Sequence, residues 1–264
     1  MIRVLEFPCG PAPGNFGDRL TCHVLRQQGL SCTPVRVDDP HGGRNLVGIG
    51  SVLQLCSPAF EGVIWTSGVI GPHQHATVPG AKVLAVRGQM TYERLTCQEK
   101  QGVVLGDGGL LAEADTSRKY HELGLIPHWS QCNAPEIVAL AGKPGVVFIN
   151  PCDEVGSVIE AIAECKYIAS SSLHGLIVAD ALGIPSIWVN PDPAGGINTF
   201  KFWDYFSAFM RRMPSRYDIL EETSVDELVA MCSFSEERRH VLAEIKQRLR
   251  VTVDSIKEHF GGKH

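Results

Sequence analysis

Short apolar runs alternate with amphipathic stretches along the whole chain. The runs at 2–7, 34–37, 46–49, 62–66, 82–86, 102–105, 146–150, 166–170 and 185–189 read as strands. They are brief, rich in Val, Ile and Leu, and bounded by Gly, Pro or polar turns. Between them, apolar residues recur at helical spacing near 17–28, 88–97, 132–141, 157–165, 174–183, 200–210, 224–232 and 234–260. Ser157 with Glu160, and Ser233 with Glu236, have the spacing of capping boxes. The last helix carries Leu242, Ile245, Leu249, Val253, Ile256 and Phe260 at steps of three and four, then stops at Gly261-Gly262. Its Arg and Lys residues alternate with Glu, which fits a solvated outer face; a membrane-surface role is the alternative.

Strands that alternate with helices form parallel sheets covered on both faces. Six strands before residue 106 and three or more after residue 145 predict an α/β protein of two doubly wound halves. The boundary falls between residues 1–115 and 116–264, with the polar, less regular stretch 112–133 as the junction.

The stretch Ile168–Trp188 joins this pattern to chemistry. It reads as a buried strand, a polar turn, an apolar helix and a second buried strand. Ser170, Ser171, Ser172 and His174 stand where the helix begins, and a helix N-terminus offers unpaired N–H groups and partial positive charge. Such a cluster suits a phosphate or carboxylate. It equally suits plain N-capping, with His174 a satisfied turn residue. The helix itself, from Gly175 to Leu182, is apolar on nearly every face, so it belongs between layers.

Composition narrows the classes. The chain has 264 residues, 44% hydrophobic and 20% charged, as ordinary globular proteins do. A formal charge of −5 leaves no basic footprint for nucleic acid. No apolar stretch is long enough to span a membrane, and no signal core precedes the first strand, which predicts a cytoplasmic chain. The nine cysteines form no C-x-x-C pair and read as reduced thiols. His73-Gln74-His75 lies in a Gly/Pro-bounded loop without a third ligand nearby, so no metal site is expected there.

The central run Ser171-Ser172-Leu173-His174-Gly175-Leu176-Ile177 closely resembles a segment of the polysaccharide pyruvyl transferase family. Other blocks follow that family's order. They are Asn15-Phe16-Gly17-Asp18, Ile49-Gly50-Ser51-Val52-Leu53, Trp65-Thr66-Ser67-Gly68, Val86-Arg87-Gly88 with Thr91, and Leu105-Gly106-Asp107 with Leu110-Leu111. Gly124-Leu125-Ile126-Pro127-His128 and Lys201-Phe202-Trp203-Asp204-Tyr205-Phe206 complete the set. Two positions depart from the family pattern: Gly108 stands for a usual Pro, and Trp129 for a usual Tyr. The resemblance implies two Rossmann-like domains facing a cleft, similar to the GT-B architecture, with the C-terminal helix 234–260 crossing back to the first domain. It implies transfer of a pyruvyl group from phosphoenolpyruvate to a sugar of a polysaccharide or its lipid-linked precursor. The product is a pyruvate ketal, phosphate is released, and no cofactor is used. It also implies that Arg87, Leu173 and His174 hold the donor. A GT-B glycosyltransferase using a nucleotide sugar is the alternative, and a non-catalytic sugar-binding protein a third class. A cytoplasmic enzyme working at the inner face of the membrane, with peripheral contact only, fits this picture.

Each candidate residue has two readings. Arg87 ends a strand, where its planar fork suits a carboxylate or phosphate, or pairs with an Asp or a carbonyl. The Asn15–Asp18 block opens a helix. Either Gly17 permits a tight turn capped by Asn15, or Asp18 orients a sugar hydroxyl or acts as base. Ser67 and Asp107 follow strands, so they face the cleft or close turns. His128 belongs to the cleft or to the junction. Lys201 can reach an anion from the start of a helix whose Phe202, Phe206 and Phe209 are core by spacing. Trp203 and Tyr205 either stack on a sugar or pack between domains, and the loop Asp192–Gly196 is a candidate lid. His174 either donates a proton or binds phosphate. The catalytic candidates are thus His174, Arg87 and Asp18. Arg87 and His174 are expected to share one interdomain pocket.

Overall fold

A computed structural model describes residues 1–6, 14–36, 45–192, 198–210 and 213–261. Phe7 and Val37 at the ends of two predicted strands, most of the loop Gly10–Gly14, Cys9, Gly262 and residues 193–196 of the candidate lid lie outside them.

The first half of the chain forms β1 (Ile2–Glu6), α1 (Phe16–Gln27), β2 (Cys32–Arg36), β3 (Asn45–Val47), β4 (Val63–Ser67), β5 (Ala76–Thr77), β6 (Lys82–Val86), α2 (Gln89–Glu93), β7 (Leu95–Thr96) and β8 (Val104–Leu105). A short 3-10 turn follows over Gly108–Leu111. The second half forms β9 (His121–Ile126), α3 (Pro135–Ala141), β10 (Val146–Phe148), α4 (Val155–Ala163), β11 (Cys165–Ser170), α5 (Leu173–Leu182), β12 (Ser186–Asn190), α6 (Phe200–Ser207), β13 (Tyr217–Asp218), α7 (Val225–Met231) and α8 (Glu236–Gly261).

Two all-parallel sheets result. One has the order β2-β1-β3-β4-β6-β8, the other β10-β9-β11-β12-β13, and β5 pairs with β7 apart from both. The fold is therefore α/β, with two Rossmann-like parallel sheets. Helix α5 is buried at every residue from Leu173 to Asp180, as its all-round apolar sequence requires. It packs on α1, α4, β11, β12 and the 3-10 turn, so it sits between the two halves.

Several local expectations need correction. The stretch 112–133 is not merely irregular, because it contains β9, the strand between β10 and β11. Gly124 interrupts its apolar run, and the missing side chain lets Cys165 and Ile168 close in, with a Cβ there only 2.7 Å from each. Helix α2 ends at Glu93 rather than 97, since Leu95–Thr96 form β7. Ser157 lies inside α4, whose N-cap is Glu154. At α8 the capping hydroxyl is that of Ser235, which accepts from Arg238 N at 3.1 Å, while Ser233 bridges to Ser186.

Helix α8 spans both halves. Near its start, Arg238 pairs with buried Asp180 of α5 at 2.6 Å, and Tyr205 of α6 donates to the same carboxylate at 2.6 Å. Tyr205 is therefore committed to the interior rather than to a sugar, while Trp203 is exposed. Further on, α8 packs against β6, β8 and the 3-10 turn. There the indole N–H of Trp65 donates to Thr252 Oγ1 at 2.8 Å in a fully buried setting. Among the described residues no helix is long and apolar enough to cross a membrane.

The Trp65–Thr252 bond makes the α8 contact testable. Thr252→Val keeps the shape but strands the buried indole N–H, at a cost of about 1–3 kcal/mol. Urea denaturation followed by tryptophan fluorescence should show a lower midpoint at unchanged slope.

Candidate functional site

In open parallel sheets, ligands bind beyond the carboxyl ends of the strands, where the strand order reverses. That point lies between β1 and β3 in the first sheet and between β9 and β11 in the second. The loops after those four strands meet at one cleft of about 130 Å³. Asn15 and Asp18 come to it after β1, and Ser51 and Val52 after β3. His128 and Trp129 come after β9, and Ser172, Leu173 and His174 after β11. Lys201 on α6 and Ile70 complete the lining.

Asn15 caps α1 by accepting from Asp18 N at 3.3 Å, and its amide donates to Asp18 Oδ2 at 2.6 Å. Asp18 is half-buried at the cleft. Burial raises its pKa to about 6, against the pull of Lys201 and the Asn15 bond. Lys201 makes no hydrogen bond or ion pair among the described residues. Burial and then the repulsion of Arg87 lower its pKa to about 8, with Asp18 acting the other way. Gly17 is needed for contact, not for a turn: a Cβ there would lie 2.0 Å from His174 Nδ1. The His174 ring also meets Phe16 edge-on at 6.3 Å.

Helix α5 presents an uncapped start to the cleft. Its N-cap residue Ser172 makes no side-chain capping bond. Ser171 does not reach the cleft; its hydroxyl accepts from His128 N at 2.8 Å and so ties the β9 loop to the β11 loop. His128 Nδ1 sits 2.8 Å from Ser130 Oγ, and burial, then Lys201, lowers its pKa to about 4. His174 is only 7% exposed. Burial, then Arg87 and Lys201, lowers its pKa to about 3, so both imidazoles are neutral at neutral pH.

Three of the sequence candidates lie behind the cleft wall. Ser67 is buried and donates to Gly50 O at 3.1 Å. Asp107 is buried and caps the 3-10 turn, accepting from Gly109 N at 2.8 Å. Arg87, 0% exposed, donates to Asp204 Oδ2 and Val69 O at 2.8 Å each and to Ser51 Oγ. The expected common pocket is therefore met on one side only. His174 lines the cleft, while the Arg87 guanidinium stops behind Ser51, because a buried Asp and a carbonyl have already claimed its fork. Asp204 also accepts from Thr91 N and Thr91 Oγ1 at 2.7 Å each, so both of its carboxylate oxygens are bonded.

Ser51, Val52, Ile70 and Trp129 were not singled out as site residues. Ser51 and Val52 follow β3 at the reversal point, so the sheet order was the signal that could have found them. Nothing in the sequence spacing pairs Asp204 with Arg87. His73 and His75 are exposed, and among the described residues no group of three metal-ligating side chains stands together.

Comparison with known proteins bears on this site. The family Polysaccharide pyruvyl transferase matches residues 75–193, which contain Arg87, Asp107, His128 and His174. Asn15, Asp18 and Lys201 lie outside that span. The succinoglycan biosynthesis protein ExoV of Rhizobium meliloti is 28% identical over 173 residues, 61% of this chain and 52% of that protein. Protein L143 of Acanthamoeba polyphaga mimivirus is 32% identical over 134 residues, 47% of each chain. This chain thus spans about half the length of the curated relatives it matches. Among solved structures, the glycosyltransferase SnogD of Streptomyces nogalater aligns over 99% of this chain and 100% of that one, at 11% identity and a TM-score of 0.48. A Klebsiella pneumoniae protein aligns over 83% and 93%, at 11% identity and a TM-score of 0.44. The span matched to the polysaccharide pyruvyl transferase family, under half of this chain, encloses the β11–α5 turn and its histidine, so the likeness falls on the cleft.

Proposed function

We propose that the chain transfers a pyruvyl group from phosphoenolpyruvate to two hydroxyls of a saccharide, forming a cyclic ketal and releasing phosphate in polysaccharide biosynthesis. Beside the family match over residues 75–193, one observation carries this reading. The ammonium of Lys201, without a hydrogen bond or ion pair among the described residues, and the uncapped start of α5 meet in one cleft with the imidazole of His174. A small dianion with an enol carbon suits that arrangement.

The chemistry divides among these groups. The phosphate lies against the α5 start, near Ser172 and the first-turn N–H groups of Leu173 and His174. Lys201 balances the carboxylate. His174 serves protonation of C3, which leaves an oxocarbenium-like centre at C2. One acceptor hydroxyl adds there, and the second displaces phosphate. Asp18, oriented by Asn15, takes a proton from an attacking hydroxyl above about pH 6. The half-buried Trp129, with Val52 and Ile70, offers the acceptor an apolar wall. Holding both hydroxyls against C2 supplies much of the rate. Lys201 and the helix start supply positive charge without a divalent metal, so turnover should withstand EDTA. The reaction belongs to the cytoplasmic side, with the acceptor either free or lipid-linked.

The decisive assay incubates the protein with phosphoenolpyruvate and a set of saccharide acceptors. Phosphate release together with a new ketal methyl signal by NMR is expected. Turnover of a nucleotide sugar with phosphoenolpyruvate untouched would overturn the reading.

The pH dependence has a definite sign. Lys201 is charged below about pH 8 and neutral above it. kcat/KM for phosphoenolpyruvate should therefore fall above about pH 8, close to tenfold per pH unit. In Lys201→Met the step of that limb near pH 8 should vanish and KM rise roughly 10- to 100-fold, as for a lost hydrogen bond to a charged group.

Arg87→Lys keeps a charge but cannot reach Asp204, Val69 O and Ser51 together. A loss of about 1–3 kcal/mol in chemical denaturation is expected. Turnover should fall with it, since Ser51 and Lys201 lose their support. Equal stability and turnover in the variant would show that the fork is not needed.

A further inference from the structure

Behind the cleft lies a small group of buried polar atoms that no protein partner satisfies. His174 Nε2 and Asp107 Oδ2 are both sealed from solvent and unbonded, and they face each other at 3.9 Å. Thr66 Oγ1 is a third such atom, 2.8 Å from where a Cβ on Gly108 would stand. Thr66 has φ 67, the single positive φ outside glycine among the described residues. Unmade hydrogen bonds and a strained backbone both cost free energy, and such features gather at functional sites.

The geometry gives each atom a direction. Asp107 Oδ1 is held by Gly109 N at 2.8 Å, so the carboxyl cannot turn and Oδ2 stays aimed at the ring. With Nε2 sealed against Asp107, the ring nitrogen left to meet the cleft is Nδ1, packed where a Cβ on Gly17 would stand.

Resting on the pyruvyl-transfer reading, we propose that Asp107 and His174 form a proton-relay pair, with Asp107 as the positioning and proton-storing partner. Oδ2–H gives its proton to Nε2 as Nδ1–H gives its own to C3 of the donor. The C2=C3 π pair forms the new C–H bond, and the positive charge develops at C2 and the enol oxygen. Asp107 is left as carboxylate and His174 as the opposite neutral tautomer. When the first acceptor hydroxyl adds to C2, its proton enters at Nδ1, Nε2–H returns to Oδ2, and the pair is reset.

The relay avoids a species the site disfavours. An imidazolium here would be buried close to Arg87 and Lys201, and these hold His174 neutral. A tautomer exchange moves a proton with no imidazolium at any point. Burial meanwhile holds the Asp107 carboxyl protonated to about pH 7, opposed by the Gly109 N–H and Arg87 and aided by Asp204. The charged and titratable groups around the pair are Arg87 after β6, Lys201, Asp204 and Tyr205 on α6, and Asp18 on α1. Helix α8 meets the turn with apolar Ile245 and Leu249. The 3.9 Å gap must close by about 1 Å for transfer, as apo catalytic contacts often do when substrate binds.

The test is ¹⁵N NMR of the His174 ring in the whole protein, assigned with His174→Gln, alongside kinetics. The proposal expects the Nδ1–H tautomer below the Asp107 titration and the Nε2–H tautomer above it. Asp107→Asn keeps an acceptor for Gly109 N but fixes an N–H donor towards Nε2. It should lock the Nδ1–H tautomer at all pH and lower kcat by roughly 10²-fold or more with KM for phosphoenolpyruvate unchanged. One tautomer at all pH in the unmodified protein overturns the pair, and that measurement holds even if the variant fails to fold. A folded Asp107→Asn protein with the original kcat and pH profile overturns it too. Tautomer exchange in a protein that releases no phosphate from phosphoenolpyruvate supports the pair and overturns the reading of function instead.

Discussion

The ion pair between Arg87 and Asp204 is the constraint on which the site depends. It joins the end of β6 in the first half to α6 in the second, and both side chains are wholly buried. Two such charges survive burial only when every donor and acceptor is met. Here Asp204 receives Arg87 and both donors of Thr91, while the guanidinium also holds Val69 O and Ser51. The consequence for the cleft is indirect. Lys201 stands one helical turn before Asp204, so the pair decides where the ammonium points. Ser51 is fixed from behind by the same fork. A residue that touches no cleft space thereby sets the position of two that do.

The second constraint is topological. Numbered from its own first strand, each half begins with the order 2-1-3-4, and each has one point where the order reverses. The cleft forms where the two reversal points face each other, so four loops from four strand ends supply most of its wall. This places a polar group from one half against a helix start from the other without either being long-range in its own sheet. Contacts such as Phe16 N to Pro151 O at 2.7 Å hold the loops in that register.

The sequence disclosed the parallel α/β class, the buried character of α5 and the turn carrying His174, since apolar periodicity and an all-round apolar helix leave few alternatives. It disclosed Asp18, Asn15, His128 and Lys201 as cleft residues through motif and position. It did not disclose β9, because Gly124 breaks the apolar run that signals a strand, and the glycine's use is a tertiary contact with Cys165 and Ile168. Nor did it place Arg87, whose partner lies 117 residues away. A strand-end arginine looks alike from sequence whether it faces a ligand or a buried carboxylate. The capping boxes failed for a related reason: Ser157 has the right spacing, but packing of Val155, Val158 and Ile159 sets where α4 starts.

Burial, finally, decides which lining groups of the cleft carry charge. Desolvation holds His128 and His174 neutral, so positive charge is left at Lys201 and at the start of α5. In the proposed reaction an anionic donor would be drawn to those two groups, and its enol carbon would meet a neutral ring, which suits proton transfer better than a second fixed cation. Val52, Ile70 and Trp129 in the same lining bring little charge, and in the proposed reaction the hydroxyls and C–H faces of a saccharide would suit such a wall. Asp18 lines the same cleft within the field of Lys201, with its proton affinity raised towards neutrality by the same desolvation. The arrangement thus follows from which groups were buried and which were paired. Arginine was paired and withdrawn, histidines were buried and discharged, and Lys201 was left with no hydrogen bond or ion pair among the described residues.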